Sequence, residues 1–399
     1  MLPFYSPLPL SLYVHYPWCQ RKCPYCDFNS HSLSAAQGKK MSSSVEAAQE
    51  QRYLDALIRQ LEQTLPQIWG RPIQSIFFGG GTPSLISEAG LDGFLSKARA
   101  LLGFGSEVEI TLEANPGTVD YEKFAGFREA GVNRLSIGVQ SFNDQKLAAL
   151  GRIHSAQEAI RAIEAAHEAG FHNLNVDLMF ALPEQTLSQA QKDMALAIEL
   201  APSHISHYQL TLEPNTPFYK QPPPLPNEDS AWDMQQACQS QLAEAGYQHY
   251  EVSAYAKNNQ ACQHNLNYWQ FGDYIGLGAG AHGKITDAPN GQIRRTQMPA
   301  SPGGYIEMIE HGKMGHQILL TDEDARFEFM LNALRLQQGF DLSLFEQRTG
   351  LSLQVLDATI TQWIASGWVE ADLIQAQNVL RLTASGKAYL NNVLEQLLP

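Results

Sequence analysis

Long apolar runs are missing from this 399-residue chain: 44% of its residues are hydrophobic, yet no window approaches 18 uninterrupted ones. A membrane-spanning helix is therefore not expected. Basic residues are also scarce, 27 Lys and Arg against 41 Asp and Glu for a net charge of −14, and no Lys/Arg-dense stretch occurs. Phosphate binding needs a basic face, so no nucleic-acid partner is expected. The opening residues, MLPFYSPLPLSLYVHY, carry three prolines and no basic leader, which does not fit a signal peptide. A cytoplasmic location is expected, with weak attachment to a membrane surface left open. Cysteines number only five, an odd count that argues against a disulfide framework.

What is present is organised in strand-then-helix units. Apolar runs at 10–16, 73–80, 107–113, 133–139, 173–180 and 204–211 read as buried parallel strands. Between them lie amphipathic stripes, such as Tyr53, Leu54, Leu57, Ile58, Leu61 and Leu65, and similar patterns near 88–102, 120–130, 155–169 and 186–200. Six such units make an α/β fold with functional loops at the strands' carboxyl ends, and are too few for a closed eight-stranded barrel. An open or partial TIM-type barrel is expected over 1–213. The proline-rich stretch PNTPFYKQPPPLPN ends that region and opens an extension over 214–315, with a helix at 229–245 and a strand at 248–255. Residues 316–399 read as a mostly helical, winged-helix-like domain with a hairpin in GWVEADLIQAQNVLRLT, and residues 31–50 as a mobile polar loop.

Three of the five cysteines, Cys19, Cys23 and Cys26, stand in a C-x3-C-x2-C spacing on the loop after the first strand. Three thiolates can hold three irons of a cubane cluster and leave the fourth open to a small molecule. A structural zinc site is the alternative, disfavoured because closed zinc sites take four ligands. Gly79-Gly80-Gly81-Thr82-Pro83 ends the second strand, where glycines let the backbone approach a ligand and present N–H groups. Glu113, Gln140, Arg152 and Asp177 fall at or beyond the carboxyl ends of later strands, where this fold class builds its site.

This combination resembles the radical S-adenosylmethionine (SAM) superfamily over most of the chain. The resemblance implies a 4Fe-4S cluster on Cys19, Cys23 and Cys26, whose open iron is chelated by SAM, and cleavage of SAM to a 5′-deoxyadenosyl radical once a reductant supplies an electron. By the same resemblance Gly80, Gly81 and Thr82 would bind the SAM amino group, and Gln140, Arg152 and Asp177 its ribose and carboxylate. Glu113 would lie nearby, Tyr13 would lie beside the cluster, Tyr25 would be a cofactor contact, and Thr211 is a weaker contact.

Within the superfamily, CPYCDFNSH, GGGTPS, RLSIGVQSF, HNLNYW and GLGAGAH resemble the HemW family of haem chaperones, relatives of oxygen-independent coproporphyrinogen III oxidase. That branch implies haem as ligand and client haemoproteins as recipients. The oxidase is the alternative, and two departures tell against it: Phe28 stands where the oxidase carries a further cysteine, and the chain begins about ten residues before its first strand. Ala181 in FALPEQ departs from the usual GLP and should perturb only a turn. His264, in HNLNYW, is the candidate haem ligand, since imidazole is a common axial ligand and the neighbouring aromatics could cover a porphyrin. Its alternative is a buried turn in which Trp269 fills core. Cys262 is a thiolate candidate or, preferably, a buried apolar residue, and Cys238 reads as structural. Gly276–His282 opens no helix, so it reads as close backbone packing near the SAM site with His282 a lesser contact. A homodimer is left open.

Overall fold

The computed structural model describes residues 4, 7–32, 43–68 and 70–398. Six parallel strands follow the expected order: β1 (Leu10–Tyr16), β2 (Ile73–Gly80), β3 (Phe104–Ala114), β4 (Arg134–Gln140), β5 (Asn173–Phe180) and β6 (His204–Gln209). The helices that return the chain are α1 (Ser43–Ile68), α2 (Glu88–Leu101), α3 (Tyr121–Ala130), α4 (Asp144–Ala149), α5 (Ala156–Glu168) and α6 (Leu187–Glu199). Their starts are set locally. Ser155 and Thr186 cap α5 and α6, each in a reciprocal capping box with the residue three positions on. The apolar stripe of α1, with Tyr53, Leu57 and Leu61 wholly buried, packs into the main core with the sheet.

The sheet continues past both ends of this run. The extension adds a pair beyond β6, β7 (Gln248–Glu251) and β8 (Ala254–Ala256), after a helix at Glu228–Glu244. On the other side β9 (Asp273–Leu277) lies parallel to β1, and β10 (His282–Asp287), β11 (Gln292–Gln297) and β12 (His316–Leu319) follow antiparallel. The full order is β12-β11-β10-β9-β1-β2-β3-β4-β5-β6-β8-β7. Residues of β2 to β6 and of the loop that follows β1 line one cavity, so the sheet curls into a partial barrel without closing.

Several expectations are revised. Strand β12 continues the main sheet, and the helices at Asp322–Ala333, Leu342–Thr349 and Asp357–Ala365 enclose a second apolar core around Phe329, Phe345 and Trp363. The hairpin expected in 367–383 is instead a helix, Ala371–Gln377, between residues joined by a single Val369–Leu382 bridge; its Ala, Leu and Gln content favours helix over strand. Of the loop expected at 31–50, residues 33–42 lie outside the described residues, His31–Ser32 pair with Trp18–Cys19, and 43–50 already belong to α1. Ala181 occupies the left-handed region at φ 54°, a conformation glycine adopts without strain.

One buried ion cluster joins the extension to the barrel. The Asp273 carboxylate, fully buried at the start of β9, accepts from Arg71 Nη1 at 2.8 Å, Lys284 Nζ at 2.9 Å, and the backbone N and Oγ1 of Thr286 at 2.9 and 2.8 Å. Arg71 also donates to the Leu8 carbonyl just ahead of β1. Burial alone would raise the Asp273 pKa, but the Lys284 and Arg71 charges outweigh it and hold the carboxyl below its ordinary value. Removing the carboxylate charge would leave two cations buried without compensation. Asp273→Asn is therefore expected to cost about 3–5 kcal/mol in denaturant unfolding, and a loss under about 1 kcal/mol would show that the cluster does not hold these strands. In the native protein this contribution is present above the ordinary carboxylate range and is lost as pH falls through the lowered pKa.

Candidate functional site

The cysteine loop is a small knot on the end of β1. Cys26 N donates to the Cys23 carbonyl at 3.2 Å, and His31 N donates to the Pro17 carbonyl at 2.7 Å. Lys22 Nζ donates to the carbonyls of Phe28 and Ser30 at 2.9 and 3.3 Å, closing the loop around a cation. Asn29 Nδ2 donates to the carbonyls of Ala279 and Ala300 at 2.9 and 2.8 Å, tying the loop to the turn after β9 and to the segment after β11. The three thiols border a cavity of about 430 Å³. Burial pushes the Cys19 and Cys26 thiols up, and Lys22 opposes that shift. Among the described residues no three His, Cys, Asp or Glu side chains converge on a single metal ion. Thiols spread around a cavity, with cations beside them, suit a cluster of several irons better than one zinc.

The glycine run packs against this loop. Gly80 sits at φ 114°, and a Cβ there would lie 2.6 Å from the His15 ring; one on Gly81 would lie 2.6 Å from the Trp18 carbonyl oxygen. Contrary to expectation, its N–H groups are spent internally: Gly80 N donates to Glu113 Oε2, Gly81 N to the Tyr16 carbonyl and Thr82 N to the Trp18 carbonyl. The physical reason is that the Gly81 and Thr82 amides continue the pairing of β2 with β1 and its loop, while the Gly80 amide is taken by the Glu113 side chain on β3. An ammonium group needs acceptors in any case, which the carbonyls and carboxylates here provide.

Three carboxyls line the same cavity, and one of them, Glu251, is already paired with Arg335 at 2.9 Å. Glu113, near the end of β3, is pushed up to about 8, first by burial and then by the charge of Asp177. Asp177 on β5 is also raised by burial, although Asn175 Nδ2 donates to it at 2.8 Å and Ser136 Oγ at 3.2 Å. Gln140 holds a left-handed backbone at φ 69° and accepts from the Tyr208 hydroxyl at 2.8 Å. Strain of that kind persists where surrounding structure over-determines it, and here it sits in the cavity wall. Arg152, beyond α4, donates to the Gly138 carbonyl at 2.7 Å and points Nη1 at Cys23 Sγ, 3.9 Å away. Tyr25 lines the same wall.

A second cavity, of about 520 Å³, adjoins the first: Phe28, Gly80, Glu113 and Trp269 line both. Its walls combine the aromatic Tyr13, Phe28, Tyr268, Trp269, Phe271 and Tyr274 with polar and charged residues, among them Asn29, Glu113, Lys284 and Arg295. Tyr13 belongs here rather than beside the thiols, its hydroxyl 2.9 Å from His15 Nδ1. Two further expectations are corrected. Thr211 is exposed outside both cavities and bonds Glu213 at 2.7 Å, because β6 ends at Gln209. His264 lies in neither cavity: it is buried, with Nδ1 at 3.0 Å from Ser75 Oγ and Nε2 at 2.9 Å from the Tyr268 hydroxyl, so neither nitrogen is free for iron. Cys262 is buried, pushed up to about 12 by burial, and donates to Glu109 at 3.5 Å, as a structural thiol does. Ser136, Ser206 and Tyr208 line the first cavity without having been singled out, although Ser206 and Tyr208 alternate with buried residues along β6.

Residues 13–197 match the model of the radical SAM superfamily, and residues 320–388 that of the HemN C-terminal domain. The chain is 45% identical to the haem chaperone HemW of Escherichia coli over 98% of each chain. It is 34% identical to the haem chaperone HemW of Bacillus subtilis, covering 96% of this chain and 97% of that one. The chain belongs to the HemW family of radical SAM proteins. Its fold matches the solved structure of the radical SAM enzyme coproporphyrinogen III oxidase (HemN) from Escherichia coli, with a TM-score of 0.79 and 24% identity over 99% of this chain and 91% of that chain. Among the described residues no helix is long and apolar enough to cross a membrane.

The raised Glu113 pKa has a measurable consequence. The folded chain keeps a proton that the unfolded chain releases near 4.5, so this group's contribution is complete below about 4.5 and fades as pH rises through about 8. In thermal unfolding from about pH 5 to about pH 9, Glu113→Gln should flatten the pH profile and be the more stable protein at the alkaline end. Parallel profiles would show that the carboxyl is ionised throughout.

Proposed function

We infer that this chain is a haem chaperone, which holds a 4Fe-4S cluster on Cys19, Cys23 and Cys26, takes SAM in the adjoining polar cavity, and passes haem to client haemoproteins. The observation that carries this reading is the shared wall: Phe28, Gly80, Glu113 and Trp269 border both the thiol cavity and the aromatic one. A porphyrin is a large flat apolar body, and six aromatic side chains around one cavity fit it. The HemW name of relatives spanning nearly the whole chain supports the same reading.

A cluster bound there supplies an open iron for the amino-acid end of SAM and an electron drawn from an external reductant. The chain's own residues do the rest. Glu113 and Asp177 offer acceptors to the ammonium and ribose hydroxyls, and each is easier to ionise once a cation lies against it. Arg152, whose Nη1 points at Cys23, would meet the SAM carboxylate with a fixed positive charge, and Gln140, held by its bond to Tyr208, would take the ribose contact. Gly80 and Gly81 keep β2 close enough to the cysteine loop to form the cavity floor. We assign this work to the cytoplasm, where reduced thiols persist; all five cysteines are free.

The oxidase reading is weaker because Phe28, 62% exposed and bordering both cavities, stands at the position where the resemblance to the oxidase implies a further cysteine. One preparation, reconstituted anaerobically, decides between them. Stoichiometric haem binding by absorption titration with no decarboxylation of coproporphyrinogen III is expected. Multiple turnovers would overturn the chaperone reading. In the same preparation Cys23→Ala should lose the visible absorption of the cluster, and a retained band would remove Cys23 as a ligand.

A further inference from the structure

The glycine-rich turn between β9 and β10 is held with unusual rigidity for a loop. Gly278 N donates to Gln60 Oε1 at 3.0 Å, and Ala279 N to the Tyr53 hydroxyl at 2.9 Å, both partners being buried on α1. Gly276 passes so close to the residue that ends the turn that a Cβ on it would lie 1.9 Å from the His282 carbonyl oxygen. Gly280, at φ 74°, leaves room for Asn29 of the cysteine loop, 2.4 Å from where its Cβ would stand. This packing fixes the backbone of His282, the first residue of β10, whose side chain lines the aromatic cavity.

An iron ligand in that cavity needs a lone pair not already engaged. His15 has both nitrogens occupied, by the Tyr13 hydroxyl at 2.9 Å and the Asn29 carbonyl at 2.8 Å. Burial keeps the phenols of Tyr13, Tyr268 and Tyr274 protonated by raising their pKa. Lys284 is committed to Asp273, and neither cysteine nor methionine lines the cavity. His282 is different: its imidazole is exposed to the cavity mouth, and among the described residues no hydrogen bond holds either ring nitrogen. Burial and the Arg295 charge lower its pKa, which favours the neutral ring that iron ligation needs. Arg295, which lines the same cavity, offers a guanidinium to a propionate, although Glu328 already pairs with it.

We propose that His282 is the axial ligand through which this chain holds haem, with the porphyrin lying among Phe28, Tyr268, Trp269 and Tyr274. This rests on the chaperone reading and names the ligand within it. The test is a ferric haem titration of the full, cluster-reconstituted chain and of His282→Ala, followed by absorption and magnetic circular dichroism, with and without added imidazole. The variant is expected to bind haem roughly ten-fold or more weakly, to lose the signature of histidine ligation, and to regain it with imidazole. Cluster absorption and SAM binding should stay unchanged, showing an intact fold. If the native chain binds haem stoichiometrically and His282→Ala matches it in affinity and spectrum, or if imidazole restores nothing, His282 is not the ligand. If the native chain binds no haem, the chaperone reading falls first and this assignment with it.

Discussion

The buried Asp273 carboxylate is the constraint on which the two-cavity arrangement depends. It gathers Arg71 from the approach to β2, Lys284 and Thr286 from β10, and through Arg71 the carbonyl ahead of β1. A buried ion cluster of this kind contributes little net stability compared with apolar packing, but its geometry is exacting, because each cation must be matched. Its effect is to lock β9 beside β1 in parallel register and to place the turn after β9 over the cysteine loop. Lys284 and Phe271, which belong to this cluster or pack on it, also wall the aromatic cavity. The cavity is thus a product of how the extension is clamped to the barrel.

At the other end of the strands the chemistry is governed by burial. Desolvation raises Glu113, Asp177, Cys19 and Cys26 towards their neutral forms. Each of these groups gains from a positive partner, and the fold supplies such partners sparingly. Lys22 is taken up by the carbonyls of the cysteine loop, and Arg152 is half committed to Gly138. A site in which burial disfavours the charged forms of Glu113, Asp177, Cys19 and Cys26 gains from incoming positive charge, and so suits iron and a sulfonium with an ammonium group. Binding of such ligands should therefore release protons.

Much of this was legible in the sequence. The strand runs and helix stripes of the first two hundred residues follow from periodicity, because parallel strands buried on both faces leave unbroken apolar runs. The cysteine spacing, and the polar residues Glu113, Gln140, Arg152 and Asp177, fall where the strands end, and the structure brings all of them to one cavity. Less local features escaped. His264 looked like a ligand by type and by its aromatic neighbours, but its partner Ser75 is 189 positions away, and no spacing rule reveals that. The glycine run that ends the second strand serves contacts with β1, its loop and Glu113 rather than offering free amides. The helix at Ala371–Gln377 replaced a hairpin because short segments carry too few periods to separate the two. His282 was undervalued since its freedom is defined by the engagement of every other candidate around it.

The central claim is that one continuous site, divided only by Phe28, Gly80, Glu113 and Trp269, holds both the cluster and haem. Its most direct test is electron paramagnetic resonance of the reduced cluster with and without bound ferric haem, because nearby paramagnetic centres speed each other's spin relaxation. Markedly faster relaxation of the cluster signal on haem binding is predicted. Relaxation unchanged at full haem occupancy would contradict the account.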